Sequence, residues 1–564
     1  MKNLFKLAII FAAMLLPGYS IAHEIPKGAS APGDTLDAGL GSLHHPVSTR
    51  NKLAQAYFDQ GLKLVYAFNH EAALASFVRA IELDPKLAMA AWGMAYALGP
   101  NINAPMSDSA HKLAYGSLQQ AIALKEYASP RESAYIDALS KRYSSNPDAD
   151  GNALNIAYKD AMAELSRRYP DDADAAVLYA ESLMDLHPWK LWRPDGTPEQ
   201  GSLEIIAVLE KVLKRQPRHI GANHYYVHAI EMSPHPEKAL AAARRLETLA
   251  PSAGHLVHMP AHIYIRTGDY LAAARSNIAA VRADERLIAA GGQSGYLVGY
   301  YGHNLHFLAI SYAYAGNAGK SIAAANKLAD LVRPKLKDVP YVDSFYATPA
   351  LIYTLFDRWD EILALPEPPF EAPVSATFWH FARAIALAGQ GRSEEAQQER
   401  SKFAAAVSST GASAEYGNNS SPAVLDVASH YLDGRLALFA KDLPGAILAL
   451  RQAADAEEKL SYDEPPNWYL ASNWMLGNAL LQAGDAVAAE AAFRADLKHN
   501  IASGRSLHGL QAALAAQGKS REASDIRRQF LHAWRRAEYP VATSPPANPL
   551  RHGPPPKFPR SVVF

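Results

Sequence analysis

The sequence predicts an all-α protein, an α-solenoid of stacked helix pairs with insertions, and three observations carry that expectation. Apolar residues recur at helical rather than strand spacing along most of the 564 residues. A pattern of Gly, Ala, Phe and Pro returns at both ends of the chain. In the middle, His224 and His258 lie 34 residues apart, as do His228 and His262. Repetition at a fixed interval of this size is the mark of helix pairs that bury their apolar faces only against one another.

Taken in order, residues 1–22 read as a signal peptide. Lys2 and Lys6 precede an apolar run from Leu7 to Leu16, and Ser20-Ile21-Ala22 offers small residues for cleavage after Ala22. The expected location is therefore periplasmic or secreted, with no transmembrane segment in the mature chain. Residues 23–50, rich in Gly, Pro, Ser and Asp, are expected to form a flexible lead-in. His44-His45 within it is a secondary candidate for metal contact.

N-terminal repeats fill 51–130. Gly61, Ala73, Phe77, Ala80 and Pro85 supply the first, and a second begins at Ala88 and breaks at Gly99-Pro100. Central helical repeats occupy 131–340. They include an aromatic loop from His187 to Pro194, read as a plug on the array or a lid over the histidines that follow. C-terminal repeats span 341–538. One of them carries Leu476, Gly477, Leu480, Gly484, Ala489 and Phe493, and the last carries Leu507, Leu510, Leu514, Gly518 and Ala523. Residues 539–564 are a Pro-rich tail.

These residues resemble the tetratricopeptide-repeat (TPR) family over most of 51–537, most specifically in the first and the last two repeats. The whole chain is similar to exported bacterial TPR proteins, here with a His-rich central region. The resemblance implies a solenoid in which the first helix of each pair lines a concave groove. It also implies a peptide, protein or small-molecule ligand in that groove, which ordinary members hold with Asn, Lys and Arg.

The central repeats depart from that habit. Inter-helix turns at Pro234, Gly268 and Gly316 align three segments. Thirteen residues before each turn stand Gly221, His255 and His303; ten before stand His224, His258 and His306; six before stand His228, His262 and Ile310. Steps of three and four fall on one helical face, so the seven histidines are expected to share a groove and bind one or two transition-metal ions. Imidazole suits copper, zinc or iron. Copper is favoured by an exported chain with no cysteine and by Met232 and Met259 beside the array. Glu231, three residues after His228, is the candidate catalytic carboxylate, with orientation of a histidine as its structural alternative.

A formal net charge of −1 gives no electrostatic case for nucleic acid, and the absence of cysteine excludes disulfides and thiolate ligands. Three functions follow: a metal-dependent enzyme of redox or hydrolytic type, a protein of metal storage or delivery, or an interaction scaffold. The sequence leaves open whether the chain is catalytic.

Overall fold

Helix His70–Leu83 follows helix Lys52–Tyr66 after only three residues, and so short a link forces the two to lie antiparallel side by side. The same unit recurs along the chain in this computed structural model, which describes residues 35–146, 148–290, 296–411 and 414–538. The expected signal peptide and Pro-rich tail lie outside the described residues. Of the described residues, 71% are helical. Its described strands are Glu415–Tyr416 and Asn419–Ser420, which pair as a short antiparallel hairpin. Among the described residues no helix is long and apolar enough to cross a membrane.

The repeat pattern has a direct packing cause. A Cβ built on Gly61 would stand 2.6 Å from the Phe77 ring, and one built on Gly93 would stand 2.5 Å from it. Gly477 and Gly509 meet Phe493 in the same way, at 2.6 and 2.3 Å. Each phenylalanine, fully buried, is thus clasped between the glycine of its own pair and the glycine of the next pair. This is the α-solenoid of TPR-type helix pairs that the sequence leads one to expect.

The chain divides into two compact units, Met1–Pro260 with Arg282–Leu297, and Ala261–Val281 with Val298–Phe564. In the first unit, the described part of the lead-in departs from expectation. Residues 35–50 are held on helix Lys52–Tyr66 by one face of polar side chains. Gln60 accepts from Asp37 N–H and donates to the Thr35 carbonyl, at 2.8 and 2.9 Å. Lys63 donates to the Gly41 carbonyl at 3.0 Å, Asp59 accepts from His45 N–H at 3.0 Å, and Gln55 donates to the His45 carbonyl at 2.8 Å. Composition suggested mobility, but side chains at steps of four, five and eight on a neighbouring helix supply the backbone's hydrogen bonds.

The second unit doubles back on itself. A simple solenoid makes contacts between adjacent repeats, whereas here Tyr270 donates to the Ile501 carbonyl at 2.6 Å across 231 positions. Arg505 donates to the Ala313 carbonyl at 3.2 Å, and Glu538 N–H to the Gly316 carbonyl at 3.0 Å. Gly316 has φ +74°, and a Cβ there would stand 2.6 Å from Trp534. Both the left-handed backbone and the indole against it require glycine.

Candidate metal centre

Helix Ile220–Glu231 places His224 and His228 one turn apart on one face, and helix Gly254–His258 brings His255 to them. One ligand atom from each of the three lies within 4.8 Å of the others. All three rings are withdrawn from solvent, with relative exposures of 0, 0 and 2%.

Hydrogen bonds decide which nitrogen each ring offers. His224 Nδ1 lies 2.7 Å from the Tyr66 carbonyl oxygen, which only accepts, so Nδ1 carries the proton and the neutral ring keeps its lone pair on Nε2. His228 Nδ1 lies 2.7 Å from Glu231 Oε1, and donation to that carboxylate leaves the lone pair on Nε2. His224 Nε2 and His255 Nε2 are 3.0 Å apart. Two ligands about 2.0 Å from one ion at the tetrahedral angle would stand about 3.3 Å apart, so the pair already has near-ligand spacing.

Glu231, expected as the catalytic carboxylate, is fully buried behind His228, in the position of a group that fixes a ligand's tautomer and raises its basicity.

Two aromatic residues complete this centre. Phe68 has ring centroids 4.6, 5.8 and 5.3 Å from those of His224, His228 and His255, parallel-stacked on the last two. Trp189 meets His228 edge-on at 5.8 Å. Both have left-handed backbones, φ 54° and 56°, a conformation costing a bulky residue about 1–3 kcal/mol and concentrated where function over-determines structure. The aromatic loop His187–Pro194 therefore lies against the histidine helix, where Trp192 Nε1 also donates to the Ala229 carbonyl at 2.8 Å.

Phe68 was not among the candidates, yet its signal was in the sequence. It sits in the turn Ala67-Phe68-Asn69, with Phe68 N–H donating to Val65 and Asn69 N–H to Leu64. Equivalent turns hold Gly268 and Gly316, with donors running to the same relative carbonyls. Asp357 and Lys441 hold the same turn position with positive φ, so what sets Phe68 apart is its ring against three imidazoles.

The other expected ligands are distributed between the units. His258, in the first, stacks on His255 with centroids 6.0 Å apart. In the second, His262 and His303 lie with centroids 5.9 Å apart and rings tilted by 33°, and both contact Phe307, at 5.2 and 5.8 Å. His306 lies elsewhere, between Phe345 at 5.3 Å and Tyr469 at 6.1 Å. Burial there pushes its imidazole down to about 3.

No family model and no curated protein matches the chain. Solved structures with likeness to it include yeast Tom70, 13% identical over 85% of this chain and 92% of that one, with a TM-score of 0.29. The P58(IPK) TPR domain is 15% identical over 83% of this chain and 99% of that one, at 0.20. A human IFIT1 dimer with PPP-AAAA is 14% identical over 83% and 94%, at 0.32. Scores this low carry no argument about the site, and the fold rests on the glycine–phenylalanine packing and helix pairing above.

Proposed function

We propose that the chain binds a transition-metal ion, copper by preference, through His224, His228 and His255. The observation that carries this is the hydrogen bonding behind the rings: Tyr66 and Glu231 each take an Nδ1 proton, so two buried Nε2 atoms are left as ligands beside a third imidazole. One ring nitrogen from each of the three buried imidazoles lies within 4.8 Å of the others, close enough to be gathered on one ion. Three neutral ligands with one carboxylate behind them suit a cation of low charge in an apolar pocket, which favours cuprous ion over a divalent metal. With no cysteine in the chain, copper would be held by imidazole, thioether or carboxylate.

Export is part of this reading, because a periplasmic or secreted chain meets copper outside the cytoplasmic thiol pool. The proposal concerns binding; storage, delivery and turnover at the ion remain distinguishable by the number of open positions it keeps. Elemental analysis of the full chain, loaded with copper and dialysed, tests the reading. Bound copper that falls by one equivalent when His224, His228 and His255 are together replaced by Gln supports it. Copper content indifferent to those replacements points instead to an interaction scaffold.

A further inference from the structure

Ring separations fix how Phe68 stands against the three histidines. The His224 centroid lies 4.8 Å from those of both His228 and His255, which are 6.1 Å apart and 25° from parallel. Phe68 lies 4.6, 5.8 and 5.3 Å from the same three centroids. Taken together, these lengths put the phenyl ring off the plane of the imidazole centroids and over the middle of their triangle. It covers one face of the trio.

The ring is confined there. Tyr225 stacks on it at 5.8 Å and His70 meets it edge-on at 6.2 Å, leaving Phe68 4% exposed. Tyr225 is itself buried and packed edge-on against Tyr66 at 5.9 Å. A phenyl group so enclosed cannot swing aside without disturbing the surrounding core. Packing alone does not call for an aromatic residue at this turn, since Asp357, Lys441, Gly268 and Gly316 all occupy its equivalents. With φ 54°, Phe68 adopts a backbone that is unfavourable for a bulky side chain.

The consequence is one of coordination number. Three imidazoles can complete the shell of Cu(I), whereas Zn²⁺ takes a tetrahedral set of four and Cu²⁺ a tetragonal one. Each divalent ion therefore needs at least one donor beyond the trio, and water is the usual one. A phenyl face offers no such donor and excludes water from its side. The three imidazoles are themselves withdrawn from solvent, so a second positive charge would also be poorly compensated there. Resting on the three-histidine reading above, we propose that Phe68 is the specificity-determining residue of that centre: its ring closes the coordination shell at three and thereby selects Cu(I) over Zn²⁺ and Cu²⁺.

Competition between the two metals tests this. The full chain, loaded anaerobically with Cu(I) and dialysed, is titrated with Zn²⁺ while the copper remaining on the protein is measured. The unaltered chain should keep its copper against a large excess of Zn²⁺. In Phe68→Gly, which suits the left-handed turn, the Zn²⁺ concentration displacing half the copper should fall about tenfold or more. Phe68→Asn, whose side chain also tolerates that backbone, should show the same fall. It takes the place of Phe68→Gly if circular dichroism finds the glycine variant unfolded. An unchanged displacement concentration in a folded variant, or equimolar Zn²⁺ displacing copper from the unaltered chain, overturns the role of Phe68 and leaves the three-histidine centre standing. Copper retained when His224, His228 and His255 are all changed to Gln overturns both.

Discussion

At the scale of single residues, the account turns on groups that stand behind the ligands. Replacing Glu231 by Gln keeps an acceptor for His228 but removes the charge, and copper affinity should fall about 10–100-fold in a competition titration with a chelator. Unchanged affinity would remove Glu231 from the centre. His306 gives a different signal. Burial holds it down to about 3 from its ordinary 6.5, so between those values the unfolded chain binds the proton that the folded chain refuses. Stability must then decline as pH falls from about 6.5 toward 3. The His306→Phe variant, compatible with the Phe345 and Tyr469 rings, should show a shallower decline in denaturant midpoints over that window, and an identical slope would contradict the assignment. Sequence columns put His306 with the ligands because helical spacing reports which face a residue is on. It does not report what the neighbouring helix presents to that face, and here that neighbour presents Phe345.

At the scale of elements, the helix pair was the most legible feature. Gly61, Phe77, Gly477 and Phe493 stand in the same relation in both repeats, because a fixed packing contact imposes a fixed spacing. A methyl group at Gly477 would press on a fully buried Phe493 that Gly509 confines from the other side. Gly477→Ala should therefore destabilise the fold by about 1–3 kcal/mol, the usual cost of overpacking a core, measured by urea unfolding. A neutral result would mean that the ring is free to move. The lead-in is less legible, for the complementary reason. Gly, Pro and Ser between 35 and 50 describe what that segment cannot do alone, while Gln55, Asp59, Gln60 and Lys63 hold it from the next helix. The turn at Phe68 was legible in principle. Of the non-glycine residues at that turn position, Phe68 is the one whose ring meets three imidazoles.

At the scale of the whole molecule, the 34-residue interval foretold a repeat array but not the return of the C-terminal helices onto the turns at Gly268 and Gly316. Pairings across about two hundred positions leave no periodic trace in a sequence. Because Trp534 covers Gly316 and lies over Arg505 with the ring centroid 5.7 Å from the guanidinium carbon, Trp534→Ala should raise hydrogen exchange around residues 312–317 as well as in its own helix. Exchange confined to the C-terminal helix would show that the return contact is not stabilising. Function depends on the opposite kind of information, a local one. Histidines recur with the scaffold, and the structure brings one ring nitrogen from each of His224, His228 and His255 within 4.8 Å of the others.

The most direct test of that centre is X-ray absorption at the copper edge on the full chain loaded with one equivalent of Cu(I) and dialysed. The account predicts about three nitrogen ligands near 2.0 Å with the outer-shell scattering of imidazole, and loss of that signal when His224, His228 and His255 are all Gln. Copper that is not retained, or a spectrum unchanged in the triple variant, would contradict it.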